Sequence, residues 1–505
     1  MEESNVEQER VVNLVNFVRG CEPRKPMDLV MPVRKQMELG RFYGLPQTFL
    51  LQYDAMLRED MIALCDKSDR LLKFGVWMEM NRQLTEKLGI PWRGRPGFDW
   101  DWYVNPGFLP AYTPTQREAI IDEVFAAFAA HFGYYPQVVG SWLLDAHSMA
   151  YMSEQYHVKA FCICREQYAV DAYTLWGGYY SGGYYPSKNN MLCPASRAEN
   201  TISTPVFRML GIDPIYGYDE QINHAGFEQG CCTMEPVWSS GNNSDVLDWY
   251  FRQYFENPCV CFSHCTTGQE NSFGWEKMKK GYVMQLEKLQ KLQMAGSVRI
   301  EFLEETGIRF RKNFSHTPTS ALCALQDWAG NGYKSIWFSS QFYRANLFFD
   351  RTNLFFRDIQ KFDDRYQEAY LKEPNPNWDA RYENLSVVDA RLWSTESNPC
   401  RLKVADDAVD IMVEEKGETL AVDIVRGEHP TAQIVLTADR ILIRGCSSIE
   451  YDIGAPDRTV KIGADGLKFV RNGFAYMVGI NGIVLPTSTG CKIEPINNCI
   501  SFCMN

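Results

Sequence analysis

The feature that most limits how this chain can fold is a change of hydrophobic period near Lys334. Before it, short β-rich runs alternate with stretches of helical spacing; after it, apolar residues recur every second position. Val11 to Val18 reads as a strand, and Leu29, Val30, Val33 and Met37 carry the helical spacing that Gly44 ends. Pro46 to Tyr53 and Leu71 to Met78 are further buried strands, followed by helices through Cys65 and to about Gly89. Thr113-Pro114-Thr115-Gln116 has the form of a capping box with proline at the first helical position, and Gly133 closes that helix. Strands four and five are expected over Gln137 to Leu144 and Val158 to Cys164, with Asp145 capping the helix between them. A sixth lies near Pro205 to Leu210 or Pro214 to Tyr218, and a seventh at Pro258 to His264 after the helix Ser244 to Asn257. Val298 to Leu303, after the long helix Phe273 to Ala295, is an eighth candidate. Repeated β/α units imply a parallel sheet, and this many imply a closed or nearly closed barrel.

Beyond Lys334, runs such as KSIWFSS, ANLFFDR, TLAVDIVRG and AQIVLTADRILIRG are separated by Gly, Asp, Asn and Pro turns, the pattern of an antiparallel sandwich. The expected fold is therefore α/β: an irregular seven- or eight-stranded β/α barrel over 1–320, then a β-sandwich over 321–505. TPTSALCALQDW, between them, reads as a helix, and without a Pro/Gly/Ser-rich linker the two domains should pack closely. Lys372 to Asp379 (KEPNPNWD) is a turn-rich excursion within the second domain or at its edge.

Composition removes several function classes. A net charge of −12 over 505 residues offers no basic footprint for nucleic acid. With 45% hydrophobic and 23% charged residues the chain can build large cores, and no apolar run approaches the roughly 18 residues of a membrane span. MEESNVEQER is unlike an export signal, and many of the 16 cysteines sit in apolar runs, so a cytoplasmic protein with reduced thiols is expected. No Walker loop, dinucleotide fingerprint or GxSxG elbow occurs, so no cofactor is expected.

In a β/α barrel the reacting groups gather at the carboxyl ends of the strands. That edge carries Arg19, Asp54, Glu79, Asp145 and Glu270, four carboxylates and one guanidinium. The structural alternatives are plain: Asp145, and Asp54 too, can cap helices, and Glu270 can serve the helix after it together with Asn271 or Ser272. Two aromatic loops share the edge: Phe98 to Tyr103, with Trp100, Asp101 and Trp102, and Tyr173 to Tyr185, with Trp176, Tyr179 and Tyr185. Aromatic faces beside polar groups such as Gln269 and Asn271 suit a sugar ring; they equally suit a hydrophobic roof. Metal sites score poorly: no HxxH or HxxxH pair exists, and Cys259-x-Cys261…His264-Cys265 reads better as a buried strand than as a zinc site.

The strings LGRFYGLPQTFLLQYDAM, FGVWMEMNRQL and FGYYPQVVGSWLLDAHSMAYMSEQY resemble the glycoside hydrolase/deacetylase superfamily of irregular β/α barrels. With Arg165-Glu166-Gln167, YTLWGG, GGYYPSKNN, GQENSFGW and the tail segment Leu385 to Asp389, the chain most resembles an uncharacterised glycoside hydrolase/deacetylase-like family of Bacteroides-type gut bacteria. Polysaccharide deacetylases of that superfamily hold a metal through an Asp after strand one and an HxxxH after strand three. Here those places carry Arg19-Gly20 and Glu79-Met80-Asn81-Arg82-Gln83, so no metal is expected. Related hydrolases, including family fifty-seven amylases, keep a carboxylate nucleophile after strand four and an acid after strand seven, positions that fall on Asp145 and Glu270. The resemblance thus implies a glycoside hydrolase acting on carbohydrate, with Asp145 as nucleophile, Glu270 as acid/base and Glu79 or Asp54 in support. Two alternatives stay open: a saccharide-binding barrel that has lost catalysis, and a deacetylase with a rebuilt metal site. The oligomeric state is left open as well.

Overall fold

A computed structural model describes residues 8–170, 172–209, 213–219, 243–395 and 397–505. Seven parallel strands form the first sheet: β1 (Glu9–Val18), β2 (Gln47–Leu51), β3 (Leu72–Trp77), β4 (Val138–Gly140), β5 (Ala160–Cys164), β6 (Val206–Met209) and β7 (Phe262–Thr267). Their order is β7-β1-β2-β3-β4-β5-β6. Helices α1 (Val30–Tyr43), α2 (Pro114–Phe132), α3 (Ala146–Tyr156), α4 (Ser244–Phe255), α5 (Trp275–Met294) and α6 (Leu303–Asn313) accompany them. The Thr113 hydroxyl accepts from the Gln116 amide, the Gln116 side chain accepts from the Thr113 amide, and Gly133 at φ 81° ends α2, as its residues dictate.

The barrel does not close. The free edge of β6 takes a short antiparallel strand, Gly183–Tyr184, instead of β7. Gly182 fills the seam between them: at φ 90°, a Cβ there would meet the Phe262 carbonyl at 3.1 Å and Ser320 at 3.2 Å. The eighth candidate is reduced to Arg299–Ile300, which pairs with the lower half of β1. The sixth strand forms at the first of its two expected places, Leu210 lying outside the described residues.

Two expectations are corrected. TPTSALCALQDW holds β8 (Ser320–Ala324), an edge strand of the second domain, because its apolar residues pair with β9 (Lys334–Ser339) and leave no exposed helical face. Strand seven begins four residues late: Val260 adopts φ 67° and bridges Ser320, turning Cys259 to Cys261 toward β8 before the barrel strand starts. This moves the end of strand seven to Thr267, close to Glu270.

The second domain is an antiparallel two-sheet structure. One sheet runs β8-β9-β10 (Tyr343–Phe349)-β11 (Leu354–Lys361), then Cys400–Ala405, Ile449–Ile453, Gly490–Glu494 and Ile483–Pro486, with Leu385–Asp389 also on β11. The other holds eight strands between Asp410 and Cys503, with the in-out burial of a sheet wet on one side, as in His429–Leu436. β9, β10 and β11 are buried almost throughout, because their outer face packs on the barrel. Tyr173–Trp176 pairs in parallel with Ala380–Glu383, and Tyr180 stacks on Trp337 with centroids 3.8 Å apart, so the domains pack closely as expected. Among the described residues no helix is long and apolar enough to cross a membrane.

Candidate active site

The carboxyl ends of β7, β1, β2 and β3 bring Glu270, Arg19, Asp54 and Glu79 together. Gly268 makes this possible: at φ 121° a Cβ would lie 1.8 Å from the Val15 carbonyl, so only glycine lets the loop after β7 descend onto β1. Asn271 then fastens the loop, its Oδ1 accepting from the Arg19 amide and its Nδ2 donating to the Arg19 and Leu29 carbonyls, at 2.9 to 3.0 Å. The Gln269 backbone is tied to Asn16 and Gln36. Asn271 and Gln269, expected to face substrate, thus hold the loop's backbone.

Arg19 is the centre of the cluster. Its Nη1 donates to Glu79 Oε2 at 2.5 Å, and its Nη2 lies 3.3 Å from Glu79 Oε1 and 3.4 Å from Glu270 Oε2. Its guanidinium sits 3.8 Å from the centroid of the Trp100 ring. Ser272 Oγ donates to the other Glu270 oxygen. Glu270 precedes a 3₁₀ turn, yet its side chain caps nothing, so its carboxylate is committed to Arg19 and Ser272 and not to a helix end. Burial pushes the Glu79 carboxyl up to about 7, with Arg19 resisting and Glu270 reinforcing the rise. Asp54 accepts from the Gly20 amide at 3.0 Å, and burial raises its carboxyl as well. The Glu79 side chain is fully covered, whereas that of Glu270 keeps 9% exposure. Above them Arg24, paired with Glu22, lies 5.6 Å from the Trp100 and Trp102 rings.

The remaining expected residues lie elsewhere. Asp145 is fully buried, capping α3 through the Ser148 amide and pairing with Arg117 Nη1 at 2.9 Å. Beside it Glu368 accepts from the Ala146 and Met191 amides at 2.8 Å, and burial together with Asp145 raises its carboxyl to about 8. None of Asp145's hydrogen-bond partners belongs to the Arg19 cluster. Asp101 accepts three bonds from Arg95, which it holds over Phe98 and Trp102. Trp176 donates to Asp389, Tyr179 to the Pro318 carbonyl and Tyr185 to the Phe314 carbonyl, all buried where the two domains and α6 meet. The loop Tyr173 to Tyr185 therefore forms interior packing, because strand-pairing with Ala380–Glu383 draws it under the second domain; the loop Phe98 to Tyr103 stays at the rim.

Sequence reasoning missed Ser272's bond to Glu270 and the arginines Arg117 and Arg344. Arg117 carried a signal, since it stands among the apolar positions of α2; Arg344 lies in a strand whose partner was not knowable. The deacetylase metal site does not fit this chain: where a cation would stand between strands one and three, Arg19 already contacts both carboxylates, and Asn81 caps the helix Arg82–Lys87. Among the described residues no group of three or more His, Cys, Asp or Glu is arranged to hold a metal. His264 instead bonds Asn13 inside the barrel, at 2.8 Å. Cys231-Cys232 lies outside the described residues.

The family described as "Domain of Unknown Function with solved-structure structure (DUF3863)" matches residues 103–321. No curated protein matches. Among solved structures, one from Parabacteroides distasonis, described as a putative glycoside hydrolase/deacetylase, superposes with a TM-score of 0.57 at 13% identity, over 78% of this chain and 93% of that one. A polysaccharide deacetylase structure from Mycobacterium smegmatis, similarly described, gives 0.34 at 9% identity, over 61% and 92%. A family 57 branching enzyme from Thermococcus kodakaraensis gives 0.31 at 11%, over 61% and 71%. The first of these likenesses shows that the chain shares its fold with the Parabacteroides distasonis structure.

Proposed function

We propose that this protein is a carbohydrate-active hydrolase that cleaves glycosides with Glu270 and Glu79. The observation that carries the reading is one guanidinium nitrogen shared by two carboxylates from different strands of the barrel's carboxyl rim. Those oxygens can be no farther apart than the two contacts laid end to end. That favours the retaining separation of about 5–5.5 Å over most of the inverting range of about 6.5–9.5 Å. Glu79, with its carboxyl near 7, can hold a proton at neutral pH and deliver it to a leaving oxygen, while Glu270 is the carboxylate that reaches the surface. Arg19 holds both in register, and the roles first expected of Asp145 pass to this pair.

The test is turnover on a panel of aryl and oligomeric glycosides. Glu270→Gln and Glu79→Gln should each lower the rate by about 10²–10⁴, the usual worth of positioned acid/base groups. Full activity in either variant removes that residue from the mechanism. Chelator should leave turnover unchanged; loss of deacetylation with chelator would transfer the site to the deacetylase reading. The complete burial of the Glu79 side chain favours a second reading, a barrel that binds saccharide without cleaving it. Saturable binding with no turnover across the panel would select it.

A further inference from the structure

The excursion Lys372 to Asp379 has no role in the second domain's sheets, yet its backbone is fastened to the barrel. The Asn375 amide donates to the Pro110 carbonyl at 2.8 Å, Asn105 Nδ2 donates to the Pro376 carbonyl at 2.7 Å, and the Val104 amide donates to the Trp378 carbonyl at 2.8 Å. Asn375 Nδ2 closes the turn on itself through the Asp379 carbonyl at 2.7 Å. These bonds hold an indole that is 46% exposed, standing edge-on to Tyr103 with centroids 4.8 Å apart. A mobile exposed tryptophan would need no explanation; one held in a turn by four hydrogen bonds pays conformational entropy to keep nearly half of its indole in water.

The rings continue inward. Tyr103 lies 6.1 Å from Trp102 with nearly parallel planes, Trp102 lies 6.0 Å from Trp100, and Trp100 carries the Arg19 guanidinium. Trp102 and Tyr103 are half-buried. An aromatic row thus leads from the Glu79–Glu270 pair across the barrel rim to a residue of the second domain.

We infer that Trp378, at the outer end of this row, is a distal subsite and that the substrate is an oligosaccharide or polysaccharide whose distal sugars stack on it. The inference deepens the glycosidase reading and rests on it for the occupant. A pyranose presents C–H faces at its ring and hydroxyls at its edge. Guanidinium groups cover the Trp100, Trp102 and Tyr103 rings, so the flat ring that the row leaves open to a sugar is Trp378 at its outer end. The second domain then has a function in substrate binding: the excursion extends the binding surface outward from the Glu79–Glu270 pair.

The experiment uses the full chain, its Trp378→Ala and Trp378→Phe variants, and cello-, xylo-, malto-, laminari- and chito-oligosaccharides of two to six units. Binding is read calorimetrically in the Glu270→Gln background, so that it does not depend on turnover. For whichever series binds, affinity should rise with length in the parent, and Trp378→Ala should lose about 2- to 10-fold on the longest members, the range of one aromatic contact. The shortest members should change little, and Trp378→Phe should recover most of the loss. If the enzyme is active, kcat/KM on long substrates falls in the same ratio while turnover of an aryl monosaccharide is kept. Equal binding of parent and Trp378→Ala at every length overturns the inference. So does the absence of binding in all five series, or a change of oligomeric state on substitution, which would make the indole a contact between copies of the chain. Absence of turnover with length-dependent binding removes only the glycosidase reading.

Discussion

Two sectors of the barrel rim each bury an arginine between carboxylates. Where β7, β1 and β3 end, Arg19 holds Glu79 and Glu270; where β5 ends, Arg344 from β10 holds Glu166 and Asp358. In the second sector every side chain is fully covered. Arg344 there makes a two-pronged bond to Asp358, with both distances at 2.9 Å, and also donates to Glu166 and the Gly178 carbonyl. In the first, Glu270 keeps contact with solvent and Arg19 Nε has no partner. Among the described residues each cluster leaves one buried atom without a partner, Arg19 Nε in the first and Glu166 Oε2 in the second, so what differs is access to water. A dry ion cluster fixes two domains in one arrangement, whereas one with a carboxylate open to water can exchange a protein partner for a substrate.

The comparison is most exposed to substitution of the arginines. Arg344→Met strands Glu166 and Asp358 in the interior, and should cost about 3–5 kcal/mol of global stability by denaturant unfolding. Arg19→Met should cost less, about 1–3 kcal/mol, because Glu79 is already close to taking up a proton and Glu270 has water to turn to. Equal costs would mean that the rim has two clamps and no open site.

Proton linkage gives the next effect. The folded carboxyls of Glu79 and Glu368 lie near 7 and 8, above the ordinary 4.5, so the native state holds these protons where the unfolded chain releases them. Their stabilising contribution is complete below about pH 4.5 and is lost as pH rises through about 7 for Glu79 and about 8 for Glu368. Each group tilts stability by about 1.4 kcal/mol per pH unit inside its window. Glu79→Gln should flatten the curve up to about 7, and Glu368→Gln should flatten it up to about 8. Unchanged slopes in both variants would show that neither carboxyl is perturbed.

Most of the barrel was legible because its signals are local. The Thr113 capping box and the stops at Gly44 and Gly133 depend on neighbours in sequence and formed where the residues indicate, whereas the helix expected through Cys65 breaks into two four-residue helices, Tyr53–Met56 and Glu59–Ile62. The failures are non-local. Ser320 to Ala324 has composition tolerated by a helix, and only the presence of β9 beside it makes it a strand. Trp176, Tyr179 and Tyr185 look like a sugar platform until Ala380–Glu383 pairs with their loop. Asp145 read correctly as a cap, but its buried pairing with Arg117 was hidden from the sequence, since that partner sits on another helix. Arg19, Glu79 and Glu270 could be placed on the rim by strand counting alone; that one arginine joins them could not.

The smallest expected effect concerns the helix cap beside Glu79, set against the cap at Asp145, which lies after β4 and outside both clusters. Asn81 follows Glu79 by two residues; its Oδ1 accepts from the Leu84 amide at 3.0 Å, and its backbone bridges Trp100. Asn81→Ala removes that cap and should cost about 1 kcal/mol, while Asn81→Gly, which keeps the backbone geometry, should cost only a few tenths. Asp145 caps α3 in the same way, but it also neutralises Arg117 in a dry interior. Asp145→Ala therefore adds the penalty of a stranded charge to the loss of a cap, and should cost about 3–5 kcal/mol. Thermal and denaturant midpoints of the three variants separate a cap that stands alone from one tied into the domain clamp. If Asn81→Ala proves as damaging as Asp145→Ala, the Glu79 sector is as rigidly locked as the buried Asp145–Arg117 pair, and the distinction between an open site and a structural clamp fails.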